Sequence, residues 1–321
     1  MKICVIGAGR WGQNHIRTLS QLGNLGGIVE SNFSTLKEFS IKYPDVELFD
    51  ELESAINLGF DGYVLATPAE THYHLGKQLI ENGCHILIEK SLALHSEDAK
   101  ELIKLSKENN VNLMVGHILL FHPAIQKIKD IIDSGKVGKL QYIYSNRLNL
   151  GTVRLHENVF WSFAPHDISI FNYFTDSLPE NINSFGGAFI QEGNHDTTIT
   201  YFEYPNNIKT HIFVSWLHPF KEHRIILIGS KGMISFEDSS ENKEILFYEK
   251  GIDWRDGIPV AKSGSTEKIH YEPKMPLEEE LKYFMNHLNS KIEIANGECG
   301  LEVVKILEKA SESLTKDSLY V

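Results

Sequence analysis

The sequence is poor in the features that mark several common classes of protein. Its three cysteines, Cys4, Cys84 and Cys299, lie far apart in 321 residues, so we expect neither disulfide bonds nor a metal site. Lysine and arginine number 31 against 43 aspartates and glutamates, and the net charge of −12 argues against a nucleic-acid partner. No apolar run is long enough for a membrane span and no signal peptide precedes the first strand, so we expect a cytoplasmic protein without a membrane partner.

Helix and strand patterns divide the chain into two domains. Over residues 1–118, short apolar strands alternate with amphipathic helices, which predicts βαβ units and the parallel sheet of an α/β Rossmann domain. Over residues 119–321, strands with alternating or hairpin spacing, such as Gln141–Asn149 and Thr197–Tyr204, predict an α+β domain with a largely antiparallel open sheet. We expect the C-terminal helix to pack back on the first domain.

A glycine-rich hexad, Gly7-Ala8-Gly9-Arg10-Trp11-Gly12, directly follows the apolar strand Ile3–Ile6. The order of strand, G-x-G-x-x-G and helix is typical of dinucleotide-binding domains. The first glycine permits a tight turn, the second lets the backbone approach a pyrophosphate, and the third allows close packing of helix on strand. The start of the helix then offers free N–H groups to phosphate oxygens.

Glu30 bears on the choice between the two nicotinamide cofactors. It ends the second predicted strand, close to the position, about 20 residues after the glycines, where such folds carry an acidic residue. A carboxylate there accepts hydrogen bonds from ribose hydroxyls and repels a 2′-phosphate, so the sequence predicts NAD rather than NADP. The alternative, an exposed glutamate at a strand end, stays open.

Glu89-Lys90 closes another apolar strand, which begins near His85. Burying both charges at a strand terminus is costly unless they have a function. At the carboxyl edge of a nucleotide-binding sheet, both side chains would face the nicotinamide end of the cofactor. The alternative is an ordinary solvated strand exit.

His166 lies in the segment Trp161–Asp167, and Pro165 suits the first turn of a helix. We therefore expect His166 in the first helical turn, where the helix dipole lowers the pKa of the imidazole and keeps it neutral, able to accept a proton. A structural histidine at a helix start is the alternative.

Taken together, the motifs resemble the glucose–fructose oxidoreductase, inositol dehydrogenase and Rhizobium-catabolism (Gfo/Idh/MocA) family along nearly the whole chain. The matching segments are the hexad, Ala66-Thr67-Pro68 with Thr71-His72, Glu89-Lys90-Ser91-Leu92-Ala93, Val115-Gly116-His117, Ala164-Pro165-His166-Asp167 and Ile228–Ile234. The resemblance implies a Rossmann domain with NAD and a second domain that mediates a homodimer or homotetramer.

The resemblance also implies the roles of site residues. Lys90 would contact the substrate hydroxyl and the nicotinamide, and His166 would act as acid or base, so these two are the predicted catalytic residues. With the glycine turn and Glu30, the predicted cofactor-binding set is Gly7, Gly9, Arg10, Trp11, Gly12, Glu30, Ala66, Thr67, Pro68, His72, Glu89 and Lys90.

Two positions depart from the family pattern. Ser91 replaces the usual proline after the lysine, and we expect a trans peptide there because a cis bond before a non-proline residue costs about 2.5–4 kcal/mol. Ser162 stands four residues before His166, where aspartate is common in the family. The role of Asp167 is left open, because adjacent helical residues do not face each other.

Residues 116–123, 147–151 and 161–167 resemble family members that act on nucleotide sugars, the UDP-N-acetylglucosamine 3-dehydrogenases. These form a 3-keto sugar for a partner aminotransferase, which implies a role in cell-surface polysaccharide or lipid A biosynthesis. The predicted substrate-binding residues are Lys90, His117, Arg147, Asn149, Arg154, His166 and Asp167, with the two arginines as candidate cations for the diphosphate. His122 is, like His117, a candidate to line the substrate pocket, and a core or helix-cap histidine is the alternative for each. For Arg147 and Arg154 the alternative is that they are surface arginines.

Other functions stay open at this point. Within the enzymes, these are a reductase of a keto-sugar nucleotide and a dehydrogenase of a free sugar or inositol. From another class, a non-catalytic NAD-binding protein could use the same fold, because fold does not determine function.

Overall fold

The computed structural model describes residues 1–155 and 157–317, and the chain forms two compact units. Unit 1 comprises Met1–Phe121 and Lys274–Lys305, and unit 2 comprises His122–Pro273 with the chain from Ile306 onward. The first segment of unit 1 ends close to the expected boundary at residue 118. Unit 1 also takes residues 274–305, which the expected division placed in the second domain.

Unit 1 is built from alternating short strands and helices. Its strands are Ile3–Ile6 (β1), Leu25–Val29 (β2), Glu47–Phe49 (β3), Gly62–Leu65 (β4), Ile86–Glu89 (β5) and Leu113–Gly116 (β6). Its helices in this region are Gly12–Gln21 (α1), Phe33–Lys42 (α2), Leu52–Leu58 (α3), His72–Glu81 (α4) and Ser96–Glu108 (α5), with short 3₁₀ turns at Ala69–Thr71 and Ile118–Phe121.

The six strands form a parallel sheet in the order β3-β2-β1-β4-β5-β6, which confirms the predicted Rossmann architecture. Strands β1, β4, β5 and β6 are buried along their whole length, because helices cover both faces of such a sheet. The strand order changes direction between β1 and β4. At that switch point the carboxyl ends of the strands open a crevice, the usual ligand site of this fold.

Unit 2 begins with a helix and is otherwise rich in strands. Its helices are Pro123–Asp133 (α6) and Val159–Thr175 (α7), and a 3₁₀ turn lies at Pro205–Asn207. Its strands are Leu140–Leu148 (β7), Asn181–Gly187 (β8), Thr197–Tyr204 (β9), Ile208–Ser215 (β10), Glu222–Gly229 (β11), Met233–Glu237 (β12), Ile245–Tyr248 (β13), Gly251–Arg255 (β14), Ile258–Lys262 (β15) and Thr266–Ile269 (β16).

Eight of these strands form one open sheet in the order β16-β13-β12-β11-β7-β10-β9-β8. Only the β7–β10 pair is parallel, so the predicted largely antiparallel sheet is confirmed. Alternate residues of β7, β9 and β10 are buried on the face that α7 covers. Strands β14 and β15 pair separately as a hairpin.

The last two helices are Pro276–Asn286 (α8) and Gly297–Asp317 (α9). Helix α8 packs on α1 and on the turn Ile118–Phe121, and its fully buried Phe284 lies against Gly62 of β4. This apolar contact explains why residues 274–305 belong to unit 1. Among the helices of residues 1–155 and 157–317, none combines the length and apolar character of a membrane span.

Candidate functional site

The glycine turn of unit 1 has the geometry of a phosphate cradle. Gly7 has a φ of +88°, and a Cβ there would lie 2.8 Å from Thr67 Cγ2 and 2.9 Å from the Ala66 carbonyl oxygen. A Cβ on Gly12 would lie 1.9 Å from the Gly7 carbonyl oxygen, so α1 can approach β1 this closely only with glycine. A Cβ on Gly9 would meet nothing within 4 Å. The space over Gly9 is therefore open to a pyrophosphate, as the motif predicts.

Glu30 follows β2 at the same edge of the sheet. Its Oε2 accepts the Ala8 backbone N–H at 2.8 Å, and its Oε1 accepts the Asn32 backbone N–H at 2.9 Å. The carboxylate is thereby held beside the glycine turn, with acceptor lone pairs left for ribose hydroxyls. The open space over Gly9 and the Glu30 carboxylate together fit the pyrophosphate and a ribose of NAD.

His72, a predicted cofactor-binding residue, makes two contacts with backbone carbonyls. Its ring is buried, with Nδ1 at 2.8 Å from the Ser91 carbonyl oxygen and Nε2 at 2.9 Å from that of Thr67. Burial lowers the pKa of His72, so the ring is neutral and donates to one carbonyl at a time. Both nitrogens face the protein backbone, and His72 ties the exit of β4 to the exit of β5.

Glu89 ends β5 as a buried carboxylate surrounded by donors. Trp11 Nε1 and His15 Nε2 both contact its Oε1, the latter at 2.6 Å, and the Lys90 backbone N–H donates to Oε2 at 3.2 Å. Burial alone would raise the pKa of Glu89, but the donors outweigh it and the pKa is lowered. Its side chain also lies over Gly116 of β6, where a Cβ would come within 3.0 Å of the Glu89 carboxyl.

Lys90 lies directly after this carboxylate, at the carboxyl edge of the sheet. The Lys90–Ser91 peptide bond is cis, so the expectation of a trans bond before serine is wrong. The Ser91 carbonyl that follows is held by His72, a contact that the local sequence does not disclose.

His117 lies after β6 with only 1% of its surface exposed, and neither ring nitrogen has a hydrogen-bond partner among the described residues. Burial lowers its pKa to about 4, against a smaller opposing effect of Glu89, so the ring is neutral at physiological pH. A buried neutral imidazole with both nitrogens open suits a predicted ligand contact.

The predicted residues of unit 2 centre on α7. The helix begins at Val159, where the Asn158 side chain caps the Trp161 N–H at 3.0 Å, so His166 does not lie in the first turn. Pro165 sits inside the helix, not at its start. The prediction that the helix dipole keeps His166 neutral is therefore wrong, because the dipole acts within the first turn only.

Asp167, whose role was open, pairs with Arg147 of β7. Arg147 Nε and Nη2 donate to the two carboxylate oxygens of Asp167 at 2.7 and 3.2 Å, and both residues are buried. Arg147 Nη1 also lies 3.4 Å from His223 Nδ1. Asp167 therefore neutralises the charge of Arg147, a predicted candidate cation for a diphosphate, and the burial of Arg147 rules out the alternative of a surface arginine.

The other candidates of unit 2 are more open. Arg154 is exposed, with its Nε 3.6 Å from Glu157 Oε1, and Asn149 is half-buried after β7. His122 caps α6, because its Nδ1 accepts the Ala124 N–H at 3.0 Å, which was the alternative interpretation.

The predicted residues thus form one set in each unit. Unit 1 brings together the glycine turn, Glu30, Ala66–Pro68, His72, Glu89, Lys90 and His117, and unit 2 holds Arg147, Asn149, Arg154, His166 and Asp167. His15 was missed, although its place on the buried face of α1, three residues after Gly12, is a usable signal. Glu280, discussed below, was missed as well.

Comparison with known proteins gives the family. The family model "Oxidoreductase family, NAD-binding Rossmann fold" matches residues 1–117, and the Gfo/Idh/MocA C-terminal domain model matches residues 125–235. The chain belongs to the Gfo/Idh/MocA family. As a member, it is an oxidoreductase whose unit 1 is an NAD-binding Rossmann domain, and the Gly9 cradle and Glu30 are the features of this chain that fit NAD.

Two relatives within the Gfo/Idh/MocA family illustrate its range. The UDP-N-acetylglucosamine 3-dehydrogenase of Acidithiobacillus ferrooxidans is 24% identical over 294 residues, covering 89% of this chain and 88% of that protein. The myo-inositol 2-dehydrogenase of Thermotoga maritima is 23% identical over 265 residues, covering 78% and 79%.

Solved structures of two dehydrogenases share the fold. The A. ferrooxidans enzyme superposes with a TM-score of 0.87 at 22% identity, covering 99% of this chain and 98% of that one. The WlbA dehydrogenase from Bordetella pertussis, solved in complex with NADH and UDP-GlcNAcA, superposes with a TM-score of 0.81 at 19% identity, covering 98% and 97%. At these identities the likeness establishes the fold alone.

Proposed function

We propose that this protein uses NAD to oxidise a hydroxyl of a nucleotide sugar, C3 of UDP-N-acetylglucosamine or a related UDP-sugar, to a ketone. The dehydrogenase assignment depends on the position of Lys90. It directly follows the buried Glu89 carboxylate, at the same edge of the sheet as the glycine turn that fits NAD. An ammonium at that edge suits stabilisation of an alkoxide that develops as the hydroxyl is oxidised.

In the proposed reaction, Lys90 hydrogen-bonds the hydroxyl oxygen and stabilises its developing negative charge. His166 accepts the hydroxyl proton as general base, while the C–OH becomes C=O. When bound, NAD supplies the acceptor for the hydride that leaves the sugar carbon. The two roles can be exchanged, because a lysine in an apolar environment has a lowered pKa and can itself accept the proton.

The kinetic test uses Lys90→Ala and His166→Ala. We expect both variants to bind NADH with near-normal affinity and to lose at least about 100-fold in kcat, the usual contribution of a positioned acid or base. Lys107→Ala, which removes an exposed lysine that pairs with Glu298, is the control and should leave kcat unchanged. Near-normal turnover in both variants would remove them from the mechanism.

The nucleotide-sugar substrate is supported by the relatives. The A. ferrooxidans protein is a UDP-N-acetylglucosamine 3-dehydrogenase, and the B. pertussis enzyme was solved with UDP-GlcNAcA. Since Arg147 is paired with Asp167, we propose the exposed Arg154 as the cation of this chain that meets the diphosphate. Arg154→Ala should then raise KM for the UDP-sugar while the Kd of NADH stays the same.

The substrate test is NADH formation on addition of UDP-N-acetylglucosamine, with the ketone trapped by a PLP aminotransferase, which we propose as the functional partner. The panel includes UDP-glucose, free N-acetylglucosamine and inositol, because the inositol dehydrogenase relative favours a second candidate function, oxidation of a cyclitol. Activity on inositol without activity on UDP-sugars would overturn the nucleotide-sugar assignment. Reaction only with a keto-sugar and NADH would assign a reductase.

We also propose a homodimer or homotetramer through the open face of the eight-stranded sheet. That face carries apolar side chains, and Phe185 of β8 and Ile199 of β9 are 57% and 49% exposed. An aspartate in place of Ile199 should shift the mass measured by light scattering toward the monomer. An unchanged mass would place the interface elsewhere.

A further inference from the structure

Besides His117, two buried groups of unit 1 have atoms without hydrogen-bond partners among the described residues. Glu280 of α8 is 0% exposed and neither carboxyl oxygen has a partner. His15 of α1 is also 0% exposed, and its Nδ1 has no partner, although its Nε2 contacts Glu89. Buried polar groups in folded proteins are almost always hydrogen-bonded, so these three atoms require an explanation.

These two groups lie on helices that pack against each other. Glu280 lies on the buried face of α8, which packs on α1, the helix that carries His15. The turn Ile118–Phe121 and β4 also pack against α8. Neither contributes an ionisable side chain next to Glu280 from its own residues, but the buried His117, with both ring nitrogens unpartnered among the described residues, directly precedes the turn. Glu89 of β5, which contacts His15, is the charged group that acts on Glu280.

The hydrogen-bonding needs of His15 and Glu280 are complementary. His15 Nε2 carries its hydrogen because it faces the Glu89 carboxylate, so in the neutral ring Nδ1 is an acceptor that needs a donor. Burial, followed by the negative charge of Glu89, raises the pKa of Glu280 well above its ordinary value. A neutral carboxyl is a donor that needs an acceptor.

We propose that Glu280 is a positioning residue for Lys90: its neutral carboxyl donates, through one bound water, to His15 Nδ1, and His15 orients the Glu89 carboxylate that holds the Lys90 backbone N–H. A water-mediated link is stable at a buried polar site that supplies several partners. The catalytic role of Lys90 in this inference rests on the proposed function. The way in which His15 and Glu89 hold the Lys90 backbone does not.

The first test needs no substrate. It compares the urea-induced unfolding of wild type and Glu280→Gln as a function of pH. A carboxyl whose pKa is raised in the fold contributes its full stability below the ordinary pKa of glutamate, about 4.3, and loses that contribution as the pH rises toward the raised value. We expect the unfolding constant of wild type, relative to Glu280→Gln, to increase about tenfold per pH unit in that window.

Glu279→Gln is the matched control, because it removes a carboxylate from the adjacent, partly exposed position of the same helix. The tenfold rise per pH unit should be absent when wild type is compared with Glu279→Gln. A ratio between wild type and Glu280→Gln that is constant or falls with pH would mean that Glu280 is ionised in the fold, and would overturn the proposal.

The second test asks whether Glu280 acts on Lys90. Glu280→Leu keeps the apolar bulk but removes the donor, whereas Glu280→Gln keeps an N–H donor. We expect Glu280→Leu to lower kcat about fivefold, the factor of one hydrogen bond, with an unchanged Kd for NADH, and Glu280→Gln to restore most of kcat. Equal kcat values in the two variants would overturn the positioning role.

If no sugar is oxidised even by wild type, the proposed function fails and a chemical readout takes the place of kcat. The labelling of Lys90 by acetic anhydride is then measured by peptide mass spectrometry, with the exposed Lys107 as internal reference. A Lys90 labelling ratio that changes in Glu280→Leu, but not in Glu280→Gln, supports the positioning role. A ratio equal in all three proteins would overturn it.

Discussion

The sharpest prediction concerns Gly9, because the structure separates its role in binding from any role in folding. A Cβ on Gly9 meets nothing within 4 Å, whereas a Cβ on Gly12 would lie 1.9 Å from a backbone oxygen. We therefore expect Gly9→Ala to change the free energy of unfolding by less than about 0.5 kcal/mol, as an open surface position does. Gly12→Ala must move α1 away from β1 and should unfold at much lower urea concentration.

Gly9→Ala should nevertheless bind NADH poorly. The added methyl occupies the space that a pyrophosphate needs for close approach to the backbone. Loss of one hydrogen bond to a charged group costs about 1.5–3 kcal/mol, which corresponds to a rise of about 10- to 150-fold in Kd. Fluorescence titration with NADH measures this change, and urea unfolding of the same sample checks the fold.

Two results would refute this reasoning. Normal NADH affinity in Gly9→Ala would mean that the pyrophosphate does not lie over Gly9. Equal destabilisation by Gly9→Ala and Gly12→Ala would mean that the two glycines do not differ as the contact distances indicate.

Three further predictions follow from single contacts. Wild type should bind NADH more tightly than NADPH in calorimetric titrations. Glu30→Ala should bring the Kd values of the two cofactors closer together. A wild type that binds NADPH more tightly would contradict the role of Glu30. Asp167→Asn leaves the buried Arg147 charge without its partner and should lower the free energy of unfolding by about 3–5 kcal/mol, and the pair Arg147→Met with Asp167→Leu should recover most of it. Because burial lowers the pKa of His117 to about 4, NMR should show a neutral His117 ring at about pH 5. The contribution of His117 to the free energy of unfolding should be complete above about pH 6.5 and should be lost as the pH falls toward about 4. A protonated His117 ring at about pH 5 would contradict its burial.

The predictions of the glycine turn and of the two sheets, which depended on neighbouring residues, agree with the structure. A strand of four apolar residues, three spaced glycines and an acidic residue at the end of the next strand define a dinucleotide-binding turn through local backbone requirements. Gly7 and Gly12 show this directly, because any side chain at either position would strike backbone or Thr67 atoms. The parallel and largely antiparallel sheets follow in the same way from the spacing of apolar residues.

Other features depended on where a helix begins or on a partner that is distant in sequence, and these were predicted wrongly or missed. Pro165 fits the first turn of a helix, but it is also tolerated within α7, which starts at the Asn158 cap. No local pattern distinguishes Glu280 from Glu278 and Glu279, which precede it on α8. Only the packing of α8 on α1 buries one carboxyl of the three.

The sequence alone therefore determined the family, the two sheet types and the cofactor, because these depend on residue types at short fixed spacings. Tertiary structure alone decided how the charged side chains pair. Arg147 meets Asp167 across 20 residues of sequence, and His15 meets Glu89 across 74. This pairing matters because the cost of a buried charge depends on the partners that the fold supplies.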